Sequence, residues 1–173
     1  MEKKDAMKSI TFILSGSLLM IFNAVGDNWR AVLLAIFGII LMFIGLGKLK
    51  KVLDKAGKSA VMLLIIALVI HALGCLFALI PLVGSKVGSI FFLLAFLSQL
   101  IGFVLLRSSI SIGQNGKTGV ILLIVAMLFG IIASIFGIIP LMGLISSIFA
   151  LIAIIFVFFG WLKIQDGLGE SIN

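Results

Sequence analysis

An all-α fold, a polytopic membrane bundle of six transmembrane helices paired as three hairpins with both termini cytoplasmic, is what this sequence predicts. Three observations lead there. The 173 residues are 63% hydrophobic and only 11% charged, whereas a soluble domain is about half apolar and about a quarter charged. Lys and Arg gather on alternate connections between apolar stretches. A unit of hairpin length also recurs along the chain.

Too few polar residues are present to coat a soluble fold of this size, so hydrocarbon must surround most of the apolar surface. Fifteen Phe, no Tyr, two Pro and 19 Gly agree with this, since Gly is commoner in membrane helices than in soluble ones. A bilayer core about 30 Å thick takes roughly 20 apolar residues per helix. On that measure the spans fall at 9–27, 29–47, 59–80, 86–106, 118–139 and 141–162, one transmembrane domain over 1–173 with hairpins at about 9–47, 59–106 and 118–162.

The first span carries two readings. Lys3, Lys4 and Lys8, an apolar run from Ile10 to Phe22 and then Ala24-Val25-Gly26 have the layout of a cleavable signal peptide. Cleavage over residues 1–26 would leave five spans beginning near Asp27 and would strand the second span without its partner, so retention is the preferred reading. After the second span, Leu49, Val52, Leu53 and Ala56 share a helical face, while Lys48, Lys51 and Lys55 lie elsewhere. This predicts a short amphipathic extension on the inner leaflet, where anionic lipid attracts each basic residue by about 1 kcal/mol. A solvated charge run that fixes topology is the alternative.

The later spans repeat. A shift of 59 residues (116 − 57) lays Gly57-Lys58-Ser59 on Gly116-Lys117-Thr118, Leu63-Leu64-Ile65 on Leu122-Leu123-Ile124, and Ile80-Pro81-Leu82 on Ile139-Pro140-Leu141. From Thr118 to Leu162 no residue is charged; one straight helix of that length would overrun the membrane, and Pro140 with Gly143 marks the reversal. Pro81-Leu82-Val83-Gly84 marks the matching turn. Each hairpin leaves through a glycine, Gly45, Gly102 or Gly160. The first hairpin keeps only that feature, and the repeats run parallel rather than inverted.

Orientation follows from the basic residues. Of the 13 Lys and Arg, all but Arg30 and Lys86 fall on the side that carries the termini, which places that side in the cytoplasm. Trp29 and Trp161 fall at opposite interfaces. The net charge of +7 is spread over connections rather than along one face, so it is no nucleic-acid footprint.

Candidate sites are few. Ser111 to Thr118 approaches a phosphate-binding loop, with Ser111 where the first Gly belongs, but the next helix enters the membrane and the Gly-Lys-Ser recurs at 57–59. A helix start with a snorkelling Lys and a Ser or Thr cap accounts for both copies. His71 and Cys75 lie one turn apart in the third span, and Gln99 in the fourth has nearly the same depth. Polar groups at that depth face the bundle interior. An interhelical hydrogen bond, such as His71 with Gln99, is the expectation. A solute or proton path that also touches Asn23 is the alternative, and metal is disfavoured because no second His or intramembrane carboxylate completes a ligand set. Small residues every fourth position, Ala126-Gly130-Ser134, Ser98-Gly102 and Ser146-Ala150, provide close-packing faces, for packing within one chain or for a homo-oligomer.

No Asp, Glu, Lys or Arg lies well inside a span, so ion coupling and intramembrane catalysis lack their usual groups; no catalytic residue, metal or cofactor is assigned. The apolar hairpin broken at Pro81 or Pro140 and the closing Gly at 45, 102 and 160 resemble small bacterial six-span families of tandem hairpins, among them the HdeD-like acid-resistance membrane proteins. That resemblance implies a stress-related role in a prokaryotic inner membrane with no catalytic residues to carry over. The first hairpin departs from the pattern, having no Pro near Asp27 and Asn28. Two functions remain: a non-enzymatic structural, accessory or stress-related membrane protein, or a small channel or carrier for an uncharged or lipid-like solute.

Overall fold

The structure, a computed structural model, describes residues 2–25, 29–80, 84–139 and 141–171. Six helices follow in order: α1 (Glu2–Val25), α2 (Trp29–Val52), α3 (Lys55–Ala78), α4 (Gly84–Arg107), α5 (Gly113–Ile138) and α6 (Gly143–Ser171). Five of them, α2 to α6, are long and apolar enough to cross a membrane, and the chain is a helical membrane protein. The expected turns at Asp27-Asn28, Pro81-Leu82-Val83 and Pro140, and the side chain of Asn23, lie outside the described residues. No described helix contains a proline, so each keeps its ladder of backbone bonds unbroken, as hydrocarbon requires.

The backbone of every helix closely approaches those of two others, its neighbours in sequence, with α6 returning to α1 to close a ring. Contact is densest within the pairs α1–α2, α3–α4 and α5–α6. Each pair is antiparallel: Gly16 meets Gly38 while Gly45 meets Ser9, Gly88 meets Gly74 while Gly102 meets Ala60, and Gly137 meets Ser146 while Gly160 meets Gly119.

The close approach at the three closing glycines is the same in each pair. A Cβ on Gly45 would stand 2.6 Å from Ile13 Cγ1 and 2.7 Å from the Ser9 carbonyl. On Gly102 it would stand 2.8 Å from Leu64 Cδ2, with the Ala60 carbonyl beyond; on Gly160, 2.7 Å from Leu123 Cγ and 3.0 Å from the Gly119 carbonyl. In each case a branched aliphatic side chain and the carbonyl one turn before it occupy the space a side chain would need. Without a hydrophobic effect between helices in lipid, such backbone proximity is a principal source of attraction. The third pair adds an aromatic ladder: Phe129 stacks on Phe149 and Phe156, and Phe136 stacks on Phe149, at 5.7–5.9 Å between centroids.

The helices run past the expected spans on the lysine-rich side. No separate amphipathic piece covers 48–58: α2 continues to Val52, and Leu49 and Leu53 are buried in the protein core. Lys48, Lys51 and Lys55 remain exposed. The apolar face that the sequence assigns to the leaflet is instead taken up by neighbouring helices. The helix starts differ as well. Asp54, extended at φ −66° and ψ 179°, caps α3 by accepting from the Gly57 N–H at 3.0 Å. Ser59 and Thr118 lie within their helices and bond back to the carbonyls of Lys55 and Gln114. Residues 113–118, the loop-like segment, are helical.

Asp54 does more than cap. Its carboxylate also accepts from Ser109 Oγ at 2.5 Å and the Ile110 N–H at 3.3 Å, and its own N–H donates to Ser111 Oγ at 3.0 Å. The α2–α3 and α4–α5 connections are thus latched to each other. Slight burial pushes the carboxyl up, but the hydrogen bonds from Ser109, Gly57 and Ile110 outweigh it and hold the group below its ordinary 3.8. A depressed carboxylate adds stability above its unfolded value and loses it as pH falls through the folded one. The latch is therefore expected to hold at neutral pH and to loosen below about pH 4. Asp54→Ala should remove about 1 kcal/mol of cap stability and speed amide hydrogen exchange at 52–58 and 108–112 together. Acceleration at 52–58 alone would show that the two connections are not coupled.

Candidate functional site: the chamber inside the ring

A ring of six helices with no close backbone approach across it leaves space along its middle. A cavity of about 80 Å³ lies there, lined by Ser17 and Met20 of α1, Met42 of α2, Leu68 and His71 of α3, Phe96, Gln99 and Phe103 of α4, Met127 of α5, and Ala153, Ile154, Val157 and Trp161 of α6. All six helices contribute. The volume is several times the ~15 Å³ that admits one water.

His71 and Gln99 are brought together on this wall. Cys75 is not among the lining residues; it is fully buried one turn away, within the core. The expected His71–Gln99 hydrogen bond is not formed. The imidazole packs on two rings instead, Phe92 at 4.8 Å and Phe96 edge-on at 5.8 Å, and its Nδ1 is buried without a partner. A Cβ on Gly130 would come within 2.8 Å of the Phe96 ring, so the glycine on α5 leaves the room that this ring occupies beside His71.

Trp161 corrects a sequence expectation. It is no interfacial anchor: only 1% of its surface is exposed, against 62% for Trp29. It packs edge-on against Phe103 at 5.9 Å, lines the cavity, and leaves its indole N–H without a partner. An unsatisfied buried polar group costs roughly 1–3 kcal/mol, and two such atoms lie buried in the packing around the cavity. Ser17, by contrast, is satisfied, donating to the Ile13 carbonyl at 2.9 Å.

The chamber is closed toward the lysine-rich side. Ile10, Val61 and Val120 from α1, α3 and α5, and Leu49, Leu106 and Ile164 from α2, α4 and α6, are all fully buried. They form a six-residue apolar plug. Toward the other side packing thins, and α6 buries no residue between 143 and 152. Among the described residues no group of His, Cys, Asp and Glu is placed to hold a metal ion.

Sequence reasoning found His71 and Gln99 because polar residues interrupt apolar spans there. It missed Trp161, whose tryptophan near a basic residue reads as an interface anchor. It also missed Met20, Met42, Phe96 and Phe103, which are indistinguishable in type from lipid-facing neighbours. The register of the closing glycines carried a usable signal, since Phe103 and Trp161 each stand one residue after Gly102 and Gly160. Comparison with family models, with curated proteins and with solved structures finds no match to this chain.

Proposed function

We propose that this is a non-enzymatic multi-pass protein of a prokaryotic inner membrane that takes a small uncharged solute into the central chamber, as a carrier or gated channel. The observation that carries the reading is the chamber itself: a space touched by all six helices, with His71 and Gln99 on its wall and no charged side chain. The absence of charge in the wall suits a neutral cargo, because an ion would meet no compensating group in a low-dielectric interior.

On this reading all six helices span the bilayer, α1 is retained, and the lysine-rich connections face the cytoplasm. Retention of α1 is supported by its place in the ring, with Ala6, Ile10 and Ile13 buried. Three parallel copies of one hairpin are supported by the matching contacts of Gly45, Gly102 and Gly160, and by the lining itself. Ser17, Leu68 and Met127 stand at corresponding positions of the odd helices and line the cavity, as do Phe103 and Trp161 of α4 and α6. The chamber then lies on a pseudo-threefold axis, with His71, Gln99 and Trp161 breaking the symmetry. Solute would arrive from the side bearing Pro81 and Pro140, where packing is thinner. Exposed Lys48, Lys51 and Lys55 would sit against anionic headgroups of the inner leaflet.

Stopped-flow swelling of vesicles carrying the purified protein, with urea, glycerol and propionamide as isotonic solutes, tests this. Swelling faster than in protein-free vesicles is expected for at least one solute. Identical rates for all three would leave the structural or stress-related role as the better account.

A further inference from the structure

A groove between α5 and α6 has one apolar end and one charged end. Leu122 of α5 and Ile155, Phe156 and Phe159 of α6 line its apolar length, Lys163 and Asp166 stand at the other end, and the space measures about 520 Å³. We propose that it seats one phospholipid with a primary ammonium, phosphatidylethanolamine, in the leaflet on the lysine-rich side. From Ile155 to Asp166 is 11 residues (166 − 155), about 16 Å along a helix. One leaflet of a bilayer core about 30 Å thick is about 15 Å deep. The groove thus has the length of one acyl layer, and its charges stand where headgroups begin, as charges in a lipid-facing helix must.

Charge selects the headgroup. Lys163 Nζ and Asp166 Oδ2 stand 3.9 Å apart on half-exposed side chains, and so open a pair is weak. It can be exchanged for a phosphate at the lysine and an ammonium at the aspartate. The carboxylate only accepts; ethanolamine offers it N–H groups, whereas the trimethylammonium of phosphatidylcholine offers none. A lipid with negative charge alone is repelled by Asp166. The other helix pairs differ at the matching positions, three and six residues after the closing glycine: α2 has Lys48 and Lys51, and α4 has Leu105 and Ser108. Two lysines suit an anionic lipid and two uncharged residues select none, so of the three pairs the third alone complements a zwitterion. The Lys163 stem is seated at the groove's edge, since a Cβ on Gly119 would come within 2.9 Å of its Cβ. Ile155 and Phe159 are each 55% exposed; the groove opens outward and stands whether or not a solute enters the chamber.

The test releases the full chain from micelles containing equal amounts of dioleoyl phosphatidylethanolamine and dioleoyl phosphatidylcholine, and reads the retained lipids by native mass spectrometry. One ethanolamine lipid is expected to be kept in about threefold to fivefold preference over choline. Asp166→Asn should abolish the preference while a lipid is still held. Ile155→Trp fills the groove from a half-exposed position and should lower retention of both lipids several-fold. Both variants should unfold at the parental temperature, because neither side chain is in the core. Equal retention of the two lipids by the parent, or a preference indifferent to Asp166→Asn, would overturn the headgroup assignment. Unchanged retention in Ile155→Trp would overturn the groove as the seat. A two-chain species that Ile155→Trp abolishes would give the groove to a second copy of this chain and overturn the proposal as well.

Discussion

Gly160→Leu is expected to be strongly destabilising although it adds no polar group. The first atom of any new side chain would arrive 2.7 Å from Leu123 Cγ and 3.0 Å from the Gly119 carbonyl. The second of these is backbone and cannot turn aside. Leucine would have to part α5 from α6 where Gly160 crosses Gly119 and unstack Phe129 from Phe156. Overfilling a packed interior costs about 1–3 kcal/mol where side chains can give way, and the upper end or beyond applies where a carbonyl is the obstacle. Thermal unfolding in detergent should register that loss. Gly160→Ala combined with Leu123→Ala should be milder than Gly160→Leu, because the second truncation frees the space. Gly47→Leu is the control: a Cβ there meets nothing within 4 Å, and stability should be unchanged. Equal losses at 47 and 160 would mean that the crossing does not set the cost, since leucine is the better helix former at both positions.

Opening the plug is the second. Leu106→Ala and Ile164→Ala each remove a fully buried side chain, at about 2–5 kcal/mol apiece by the behaviour of packed cores. Made together, they also remove two of the six groups that separate the chamber from the lysine-rich side. The double variant, in vesicles at a temperature where it stays folded, should swell several-fold faster than the parent in whichever neutral solute the parent passes. Leu106→Met with Ile164→Met holds the volume and should restore the parental rate. A double alanine variant that unfolds more easily but conducts no faster would place the barrier elsewhere along the axis.

The helices, their number and the antiparallel pairing were legible in composition, proline placement and the spacing of the closing glycines. These are one-dimensional signals, because hydrocarbon forces every backbone polar group to be satisfied inside its own helix. What faces what was harder to read. In a soluble helix, periodic polarity separates inside from outside; here Phe37 is exposed and Phe103 buried with no difference in residue type. Leu49 and Leu53 made an amphipathic face that reads as a lipid contact, yet neighbouring helices cover it. Trp161 was misread for a related reason: an amphipathic ring near Lys163 suits an interface, and only the ring closure between α6 and α1 reveals that it lies inside. His71 and Gln99 stood out because they are polar, and their missing hydrogen bond could not be read from spacing, since two phenylalanines two and six positions after Ile90 decide where the imidazole rests.

The circle formed by the helices has a consequence for biogenesis. A chain emerging from the ribosome can pair α1 with α2 at once, but the other flank of α1 waits for the final segment to be made. Until α6 arrives, Ile10 and Ile13 lack part of their covering, the plug is short of Ile164, and the indole of Trp161 is not yet in the wall. Assembly is therefore completed by the last helix rather than accumulated evenly, and nascent chains arrested before it would remain open-sided to lipid.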